Sequence, residues 1–365
     1  MSDVASQATG SSLLPLQGWR IAAKDAIRLP GACLILPTYK RPDLIVSLLS
    51  VLAALPDAPA AVIVVDGSPD DATGSASREW ATANSAPFEL TYVKTPIAGL
   101  PFQRNVGLDI CFSDYVYFLD DDCVPEPGYF RAIRDVLDQH PEVVAVAGLI
   151  TNELNRPLAL RWRLRFALGL LPRIEPGILH DSCTSVPPSV ASVFAGIKYV
   201  DMFPGGASGF RRAIFDNVRY SPYLRRYATG EDLEMSLRMR RYGAIAWCGD
   251  AHVAHYHAAA GRIDSFQRGY MDTWNRNYIR RGHLLHASFV NKLRFWLDIF
   301  LAMTLDVFGF LRHPLQPRRL MHCLGMFCGV VSSVVYPPKY REPDTRPQFR
   351  FAGAVLDSRS SQVCR

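Results

Sequence analysis

The stretch Tyr117–Pro125 reads YFLDDDCVP, an apolar run that ends in three consecutive aspartates. Residues Tyr115–Leu119 are aromatic, β-branched or aliphatic, which predicts a buried strand leading into three aspartates. Side chains alternate along a strand, so Asp120 and Asp122 are expected on one face and Asp121 on the other. Carboxylates this close repel and require a counter-charge nearby. Two converging carboxylates suit Mg²⁺ or Mn²⁺, whereas an acidic turn that caps the next helix is an equally open interpretation.

Composition restricts the class of protein. The chain has 365 residues, 49% hydrophobic and 20% charged, which allows one large domain with appendages or two domains. Its net charge of +6 is too small to indicate nucleic acid as a partner. The eight cysteines include no CxxC pair, so neither a zinc site nor a disulfide framework is predicted. The N-terminus has neither a basic start nor an apolar run, so we expect no secretory signal and a cytoplasmic protein.

The N-terminal half carries the signature of a parallel sheet. Two short apolar runs, Ala32–Leu36 and Ala61–Val65, flank an amphipathic helix that begins at Pro42. Such a βαβ unit predicts an α/β fold with a mostly parallel sheet flanked by helices. Ligands bind at the carboxyl ends of the strands in such sheets. Thr38 and Asp66 follow strand ends, as the three aspartates do, which favours an active site over scattered turn caps.

Two motifs further along could complete a site. The loop Gly205–Gly209 reads GGASG, and small residues such as Gly206 let the backbone approach a ligand closely. Gly230 opens a helix whose first turn carries Glu231 and Asp232. A carboxylate at a helix N-terminus is stabilised as an anion and can act as a base. The competing interpretation is a capping box that only closes the helix start.

Three histidines, His252, His255 and His257, lie close together after a predicted strand. Two interpretations stay open for them: ligands that complete a metal site, or hydrogen-bonded core residues.

Other segments suggest contact with a membrane. Asn155–Arg173 interleaves arginines with apolar residues, which fits an anionic membrane surface or a core helix with an exposed basic face. Of the C-terminal apolar runs, Phe295–Leu311 is interrupted by two aspartates and Leu320–Tyr336 is at the short limit for a bilayer span. We therefore expect apolar C-terminal helices that lie in the membrane interface or pack on the domain.

Seven motifs occur in an order that resembles a known family. They are ILPTYKRPDLIVSLLSVL from Ile35, VIVVDGSPDD from Val62, GLPFQRNVGL from Gly99, YFLDDDCVP from Tyr117, GGASGFRRAIFD from Gly205, GEDLEMSLRMRRYG from Gly230 and VAHYH from Val253. Together they span residues 32–260 and resemble family-2 glycosyltransferases of the GT-A fold, which are inverting enzymes that use nucleotide sugars.

The resemblance implies a role for each site residue. Asp232 would be the general base with Glu231 beside it, and Asp66 would contact the nucleobase or ribose. The nucleotide-sugar contacts would come from Pro37, Thr38, Asp66, Arg104, Asp120, Asp121 and Gly206. The Mn²⁺ or Mg²⁺ ligands would be Asp122, Asp120 and His255, with Asp122 the direct one. Gly67 stands where the family often has a second acidic residue, so the resemblance leaves the donor nucleotide open.

These observations combine into one functional hypothesis. We expect a leader over residues 1–30, a GT-A domain over 31–290, and membrane-associated helices with a tail over 291–365. The enzyme would transfer a sugar from a nucleotide sugar to a glycan or glycolipid acceptor, such as a polysaccharide precursor, at the inner face of the membrane. The alternatives are a sugar-nucleotide nucleotidyltransferase and an inactive membrane-associated assembly subunit.

Overall fold

The computed structural model describes residues 13–224, 228–258 and 263–356. Its strands are β1 (Leu14–Leu16), β2 (Gly18–Ile21), β3 (Leu29–Thr38), β4 (Pro59–Asp66), β5 (Glu89–Lys94), β6 (Tyr115–Leu119), β7 (Cys123–Pro125), β8 (Val143–Ile150), β9 (Leu179–His180), β10 (Thr184–Ser185), β11 (Ile197–Val200), β12 (Ala207–Arg211), β13 (Ala244–His255), β14 (Phe349–Phe351) and β15 (Ala354–Leu356). Its helices are α1 (Pro42–Ala54), α2 (Ala72–Ala83), α3 (Leu100–Asp109), α4 (Tyr129–Gln139), α5 (Leu160–Ala167), α6 (Glu231–Met239), α7 (Ser265–His283), α8 (Phe289–Arg312) and α9 (Arg318–Val335).

One large sheet organises the molecule. Its strand order is β11-β13-β8-β12-β6-β3-β4-β5-β2-β15, and β7 pairs with β13. Strands β6, β3, β4 and β5 form a parallel block at the centre, while β12 runs antiparallel between β6 and β8. Thr38 lies opposite Asp66 in the register of β3 and β4. The predicted α/β fold with a parallel central sheet is confirmed, and its carboxyl edge gathers the polar residues that follow the strands.

Helices cover both faces of this sheet. On β3, Leu34 and Leu36 pack into the core under α1, α2 and α4, whereas Cys33 and Ile35 pack into the core under α3 and α6. All four side chains are buried. A strand that is buried on both faces has to be apolar at every position, which is why this stretch reads as a continuous hydrophobic run.

Both ends of the described chain join the sheet, contrary to the predicted leader and tail. In the large sheet β2 pairs with β5 and β15 pairs with β2, whereas β1 and β14 pair in a separate two-stranded sheet. Trp19 and Ile21 alternate along β2, are buried, and Trp19 stacks on Tyr92 at 5.6 Å between ring centroids. These strands are short, and partners distant in sequence stabilise them. For both reasons the local sequence carries no clear strand signal.

The basic segment Asn155–Arg173 contains only a short helix, α5, and two of its central side chains face inward. Arg165 forms an ion pair with Asp298 of α8, and its guanidinium lies 4.1 Å above the ring of Trp162. Both Trp162 and Arg165 are buried. Of the two interpretations predicted for this segment, the burial of Trp162 and Arg165 favours a helix that packs on the domain, because Asp298 supplies a buried partner for the arginine.

Helices α7 and α9 are in unusually close contact. A Cβ atom on Gly325 of α9 would lie 2.0 Å from the carbonyl oxygen of Phe266, and one on Gly269 of α7 would lie 2.0 Å from that of His322. Glycine at both positions allows the two backbones to touch. Within the ranges given above, the structure contains no helix with both the length and the hydropathy needed to cross a bilayer.

His322 of α9 connects this helix to α7 and α8. Its Nε2 lies 3.0 Å from Asp272 and its Nδ1 lies 2.6 Å from Asp306. These hydrogen bonds raise the pKa of His322 to about 9. A pKa raised on folding stabilises the protein fully below the unfolded value near ~6.5, and that stabilisation is lost as the pH rises through the folded value.

We therefore expect His322→Asn to lower the free energy of unfolding most near pH 6, by at most about 3 kcal/mol. The difference from wild type should shrink steadily between pH 6.5 and pH 9. Urea denaturation of both proteins across that range measures it. A difference that stayed constant over the range would contradict the assignment.

Candidate active site

A cavity of about 920 Å³ opens at the carboxyl edge of the sheet. The predicted site residues on its wall are Pro37, Thr38, Asp120, Asp121, Asp122, Glu231, Asp232 and His255. Residues from β3, the turn after β6, the start of α6 and the end of β13 thus meet in one place. The structure brings together residues more than 200 positions apart in the chain.

The three aspartates differ in their nearest partners, and Asp121 is bound to β3 and the turn that follows it. The strand ends at Leu119, so the predicted alternation of Asp120, Asp121 and Asp122 does not continue past it. Asp121 accepts hydrogen bonds from Thr38 at 2.8 Å and Arg41 at 2.5 Å. Burial raises the pKa of Asp121 to about 6, although Arg41 and Thr38 oppose it. Asp121 therefore anchors the turn to β3.

Arg104 of α3 supplies the counter-charge that the acidic cluster requires. Its buried guanidinium lies 3.2 Å from Asp120, 3.0 Å from Asp232 and 3.5 Å from Glu231. Tyr220 lies against it, with its ring centroid 5.1 Å from the guanidinium carbon. One cation thus joins the aspartates after β6 to the acidic pair at the start of α6.

The small-residue loop fits between these two acidic groups. The amide of Gly205 donates a hydrogen bond to Asp232 Oδ2 at 2.8 Å, and the carbonyl of Gly206 accepts one from the amide of Asp120 at 3.1 Å. A Cβ on Gly205 would lie 2.0 Å from Asp232, and one on Gly206 would lie 2.3 Å from Asp120. The backbone of this loop therefore lies close to the side chains of Asp120 and Asp232, where the sequence predicted a close approach to a ligand. A larger residue at Gly205 or Gly206 would displace these side chains.

The acidic pair of α6 is not a capping box. The helix begins after Gly230, whose φ of 93° is a conformation that favours glycine, and no side chain caps α6 in the described chain. Asp232 is bound instead to Arg104 and Gly205. Burial and the neighbouring Asp232 raise the pKa of Glu231 well above its usual value, against the opposing effect of Arg104. The competing structural interpretation of this helix start is therefore set aside.

Asp122 and His255 form the part of the site best suited to a metal ion. His255 Nε2 lies 3.3 Å from Asp122 Oδ1, and Asp122 Oδ2 accepts a hydrogen bond from the Ala258 amide at 2.8 Å. Burial would raise the pKa of Asp122, but His255 and Ala258 lower it to about 2. Cys123 is close enough to contribute a ligand. Burial, however, raises the pKa of its thiol well above the usual value, so sulfur is a poor ligand here.

The family model described as "Glycosyl transferase family 2" matches residues 33–219, just over half of the chain. The chain is a family 2 glycosyltransferase. The resemblance predicted from the ordered motifs is thereby confirmed, and the nucleotidyltransferase alternative is not supported.

Three known proteins are similar to this glycosyltransferase. A pre-mycofactocin glycosyltransferase of Mycobacterium tuberculosis is 31% identical over 157 residues, which cover 42% of this chain and 29% of that protein. The structure of GalNAc-T7 with UDP, GalNAc and Mn²⁺ has a TM-score of 0.50 at 12% identity, over 74% of this chain and 54% of that one. A mannosyltransferase of Pyrobaculum calidifontis, solved with GDP-Man and Mn²⁺, has a TM-score of 0.49 at 17% identity, over 86% and 89% of the two chains. These structural likenesses concern the fold alone.

Three predicted nucleotide-contact residues of the glycosyltransferase do not line the cavity. Arg104 and Gly206 lie directly behind Asp120. Asp66 is fully buried, and its two carboxylate oxygens accept hydrogen bonds from Ser68 and from the hydroxyl of Tyr92. In this arrangement Asp66 holds the turn after β4, and its predicted contact with a base or ribose stays a prediction.

Several residues on the cavity wall were not found from the sequence. Arg41 pairs with Asp121 and lies 3.8 Å from Asp122. Gln103 donates hydrogen bonds to the carbonyls of Thr38 and Val65, which joins the ends of β3 and β4. The signal for Arg41 was its position at the carboxyl end of β3, one residue before α1. His252, by contrast, bonds to the Gly249 carbonyl and does not line the cavity.

Proposed function

We propose that this glycosyltransferase uses a divalent cation to transfer a sugar from a nucleotide sugar to an acceptor hydroxyl, with inversion at the anomeric carbon. The observation that supports this most directly is the pairing of two acidic groups in one cavity. Asp122 and His255 offer ligands for the ion, Asp232 offers a base, and Arg104 joins Asp232 to Asp120 of the aspartate turn. The alternative of an inactive subunit finds no support, since both groups are intact.

Asp232 is the better candidate for the base. Its side chain is 27% exposed on the cavity wall, whereas that of Glu231 is 9% exposed. An acceptor hydroxyl is a poor nucleophile and needs a base within hydrogen-bond reach. Because Glu231 is buried and its pKa is raised, it holds a proton more readily than it removes one. The acidic pair thus divides into an accessible base and a buried neighbour.

The aspartate turn would hold the diphosphate half of the donor. Asp122 offers a carboxylate oxygen and His255 an imidazole nitrogen as ligands for Mn²⁺ or Mg²⁺, and Asp120 is the third candidate ligand. The bound ion supplies positive charge for the diphosphate that departs. A base in Asp232 that acts directly on the acceptor hydroxyl, together with the resemblance to inverting family-2 enzymes, favours direct displacement, which inverts the anomeric carbon.

The reaction itself is tested with a panel of UDP- and GDP-linked sugars in the presence of Mn²⁺. The assay measures release of nucleoside diphosphate, and slow transfer to water makes it independent of the acceptor. We expect at least one donor to be consumed, with dependence on Mn²⁺ and loss in Asp122→Ala. Donors that all remain intact, with and without the ion, would overturn the proposal.

We further infer that the acceptor is presented at a membrane, on a surface formed by α8 and α9. Apolar side chains at helical spacing remain exposed on both helices and are called here the hairpin stripe. The hairpin stripe consists of Leu293, Leu297, Phe300, Phe308 and Leu311 on α8 and Leu324, Phe327, Val331 and Val334 on α9. Phe300 is 67% and Phe308 61% exposed. A large apolar patch of this kind marks an interaction site.

Charge favours an anionic lipid surface as the partner of the hairpin stripe. Residues 307–341 contain no aspartate or glutamate. They include five basic residues that are at least partly exposed, Arg312, Arg318, Arg319, Lys339 and Arg341. Each contributes about 1 kcal/mol near an anionic membrane. Apolar side chains with a basic border are typical of helices that lie in the interface, and a lipid-linked glycan or polysaccharide precursor would be within reach there.

Flotation with liposomes that contain phosphatidylglycerol tests this surface. We expect the wild-type protein to float and a Phe300→Ser/Phe308→Ser variant to stay at the bottom, because burial of each ring in lipid is lost. Phe112→Ser is the matched control, since Phe112 is 87% exposed in the loop after α3, where its described neighbours include Arg212 and Asp216 and no residue of α8 or α9. Wild-type protein that failed to float, or a control that lost binding equally, would contradict the inference.

A further inference from the structure

The short turn Thr151–Glu153 follows β8 and contacts the end of β13, where His255 lies. The Asn152 side chain binds the backbone of His255 at both polar groups. Its Oδ1 accepts a hydrogen bond from the His255 amide at 3.0 Å, and its Nδ2 donates one to the His255 carbonyl at 2.9 Å. One amide side chain thus fixes the position of this residue along the strand end.

The neighbouring Glu153 contacts the ring of the same histidine. Its Oε1 lies 3.1 Å from His255 Nδ1, while the opposite ring nitrogen, Nε2, lies 3.3 Å from Asp122 Oδ1. The ring is therefore held between two carboxylates, one at each nitrogen. Glu153 Oε1 also contacts His257 Nε2, and the centroids of the two histidine rings lie 3.9 Å apart.

We propose that Asn152 and Glu153 position His255 as a metal ligand, with Glu153 accepting a hydrogen bond from Nδ1 so that the Nε2 lone pair faces the ion beside Asp122. This inference rests on the proposed metal-dependent function. A metal-bound histidine usually donates its second ring N–H to a carboxylate, which sets the tautomer and the ring orientation. Glu153 is a positioning residue, because it contacts the nitrogen remote from Asp122.

Titration of the full chain with Mn²⁺ tests the proposal without any substrate. The EPR signal of the free ion measures how much Mn²⁺ stays unbound. Loss of a carboxylate that orients a metal-bound histidine typically weakens metal affinity by about 10–100-fold. We expect Glu153→Ala to weaken Mn²⁺ binding to this extent, with little change in the melting temperature of the metal-free protein. Glu153→Gln should lose less, because its amide oxygen can still accept the hydrogen bond from Nδ1.

Two further variants separate the possible outcomes. Asp122→Ala should abolish Mn²⁺ binding; if it binds like wild type, the metal site of the proposed function is wrong. If Asp122→Ala loses binding but Glu153→Ala and Glu153→Gln retain wild-type affinity, only the positioning role is overturned. His257→Ala should bind Mn²⁺ more tightly than Glu153→Ala does. Equal losses in these two would make Glu153, His255 and His257 the ion site itself and would also overturn the proposal.

Discussion

Replacing Asp232 with Asn is expected to lower the rate of sugar transfer by about 10²–10⁴-fold, the usual contribution of a general base. The amide oxygen of Asn can still accept a hydrogen bond from Arg104 or from the Gly205 amide, although its NH₂ group cannot accept the other one, and the amide cannot take a proton from the acceptor. The loss should fall on kcat, with the KM for the donor nearly unchanged. Steady-state kinetics with the donor identified from the nucleotide-sugar panel measure both quantities.

The matched comparison is Glu231→Gln. Burial favours the neutral form of Glu231, so a neutral amide of the same shape changes the site less than Asp232→Asn does. We expect it to retain substantially more activity. If Asp232→Asn kept full transfer activity, or if Glu231→Gln lost more, the assignment of the base would be wrong.

Replacing Arg104 with Met is expected to reduce the free energy of unfolding by about 3–5 kcal/mol at pH 7, because removing one partner of a buried ion pair leaves uncompensated charge. Asp120 and Asp232 would then face each other without a cation, beside Glu231, whose neutral form burial favours. Burial already raises the pKa of both Asp120 and Glu231. As the pH falls, these groups take up protons and the repulsion decreases, so the loss should be smaller at pH 5.

Denaturation by urea at the two pH values measures the effect. Arg211→Met is the matched control, because Arg211 donates hydrogen bonds to the carbonyls of Pro141 and Val143 and to no carboxylate among the residues that the structure describes. Its loss should be smaller and nearly independent of pH. An Arg104→Met protein as stable as wild type at pH 7 would show that the acidic groups do not depend on this cation.

The fold was predictable where local signals are strong. The alternation of apolar strands with the helix that begins at Pro42 indicated the parallel block, because βαβ units have few possible arrangements. The strands β2 and β15 were not predictable. Each is stabilised by a partner far away in the chain, and Trp19 stacks on Tyr92, its partner across the pairing of β2 with β5.

The residues of the site likewise fall into those that the sequence predicts and those that it does not. Asp120, Asp122 and Asp232 were found because they stand in recognisable motifs at element ends. Arg104 connects Asp120 to Asp232, and it lies 128 positions before Asp232 in the chain. No sequence pattern indicates a contact over such a separation. Glu153 belongs to no motif, and only the pairing of β8 with β13 brings it to His255. Residues that act through tertiary neighbours leave no local pattern.

The glycine contact between α7 and α9 has a consequence for the length of the acceptor. Gln267 and Arg268 of α7 line the cavity, and Gly325 of α9 touches Phe266 just beside them. Phe327, on the exposed side of α9, is two residues from Gly325. One helix, about 10 Å thick, therefore separates the cavity rim from the apolar surface. If the hairpin stripe lies on a bilayer, the distance between the cavity rim and the lipid surface is about one helix diameter. The enzyme would then favour acceptors whose reactive hydroxyl lies at that distance from the lipid.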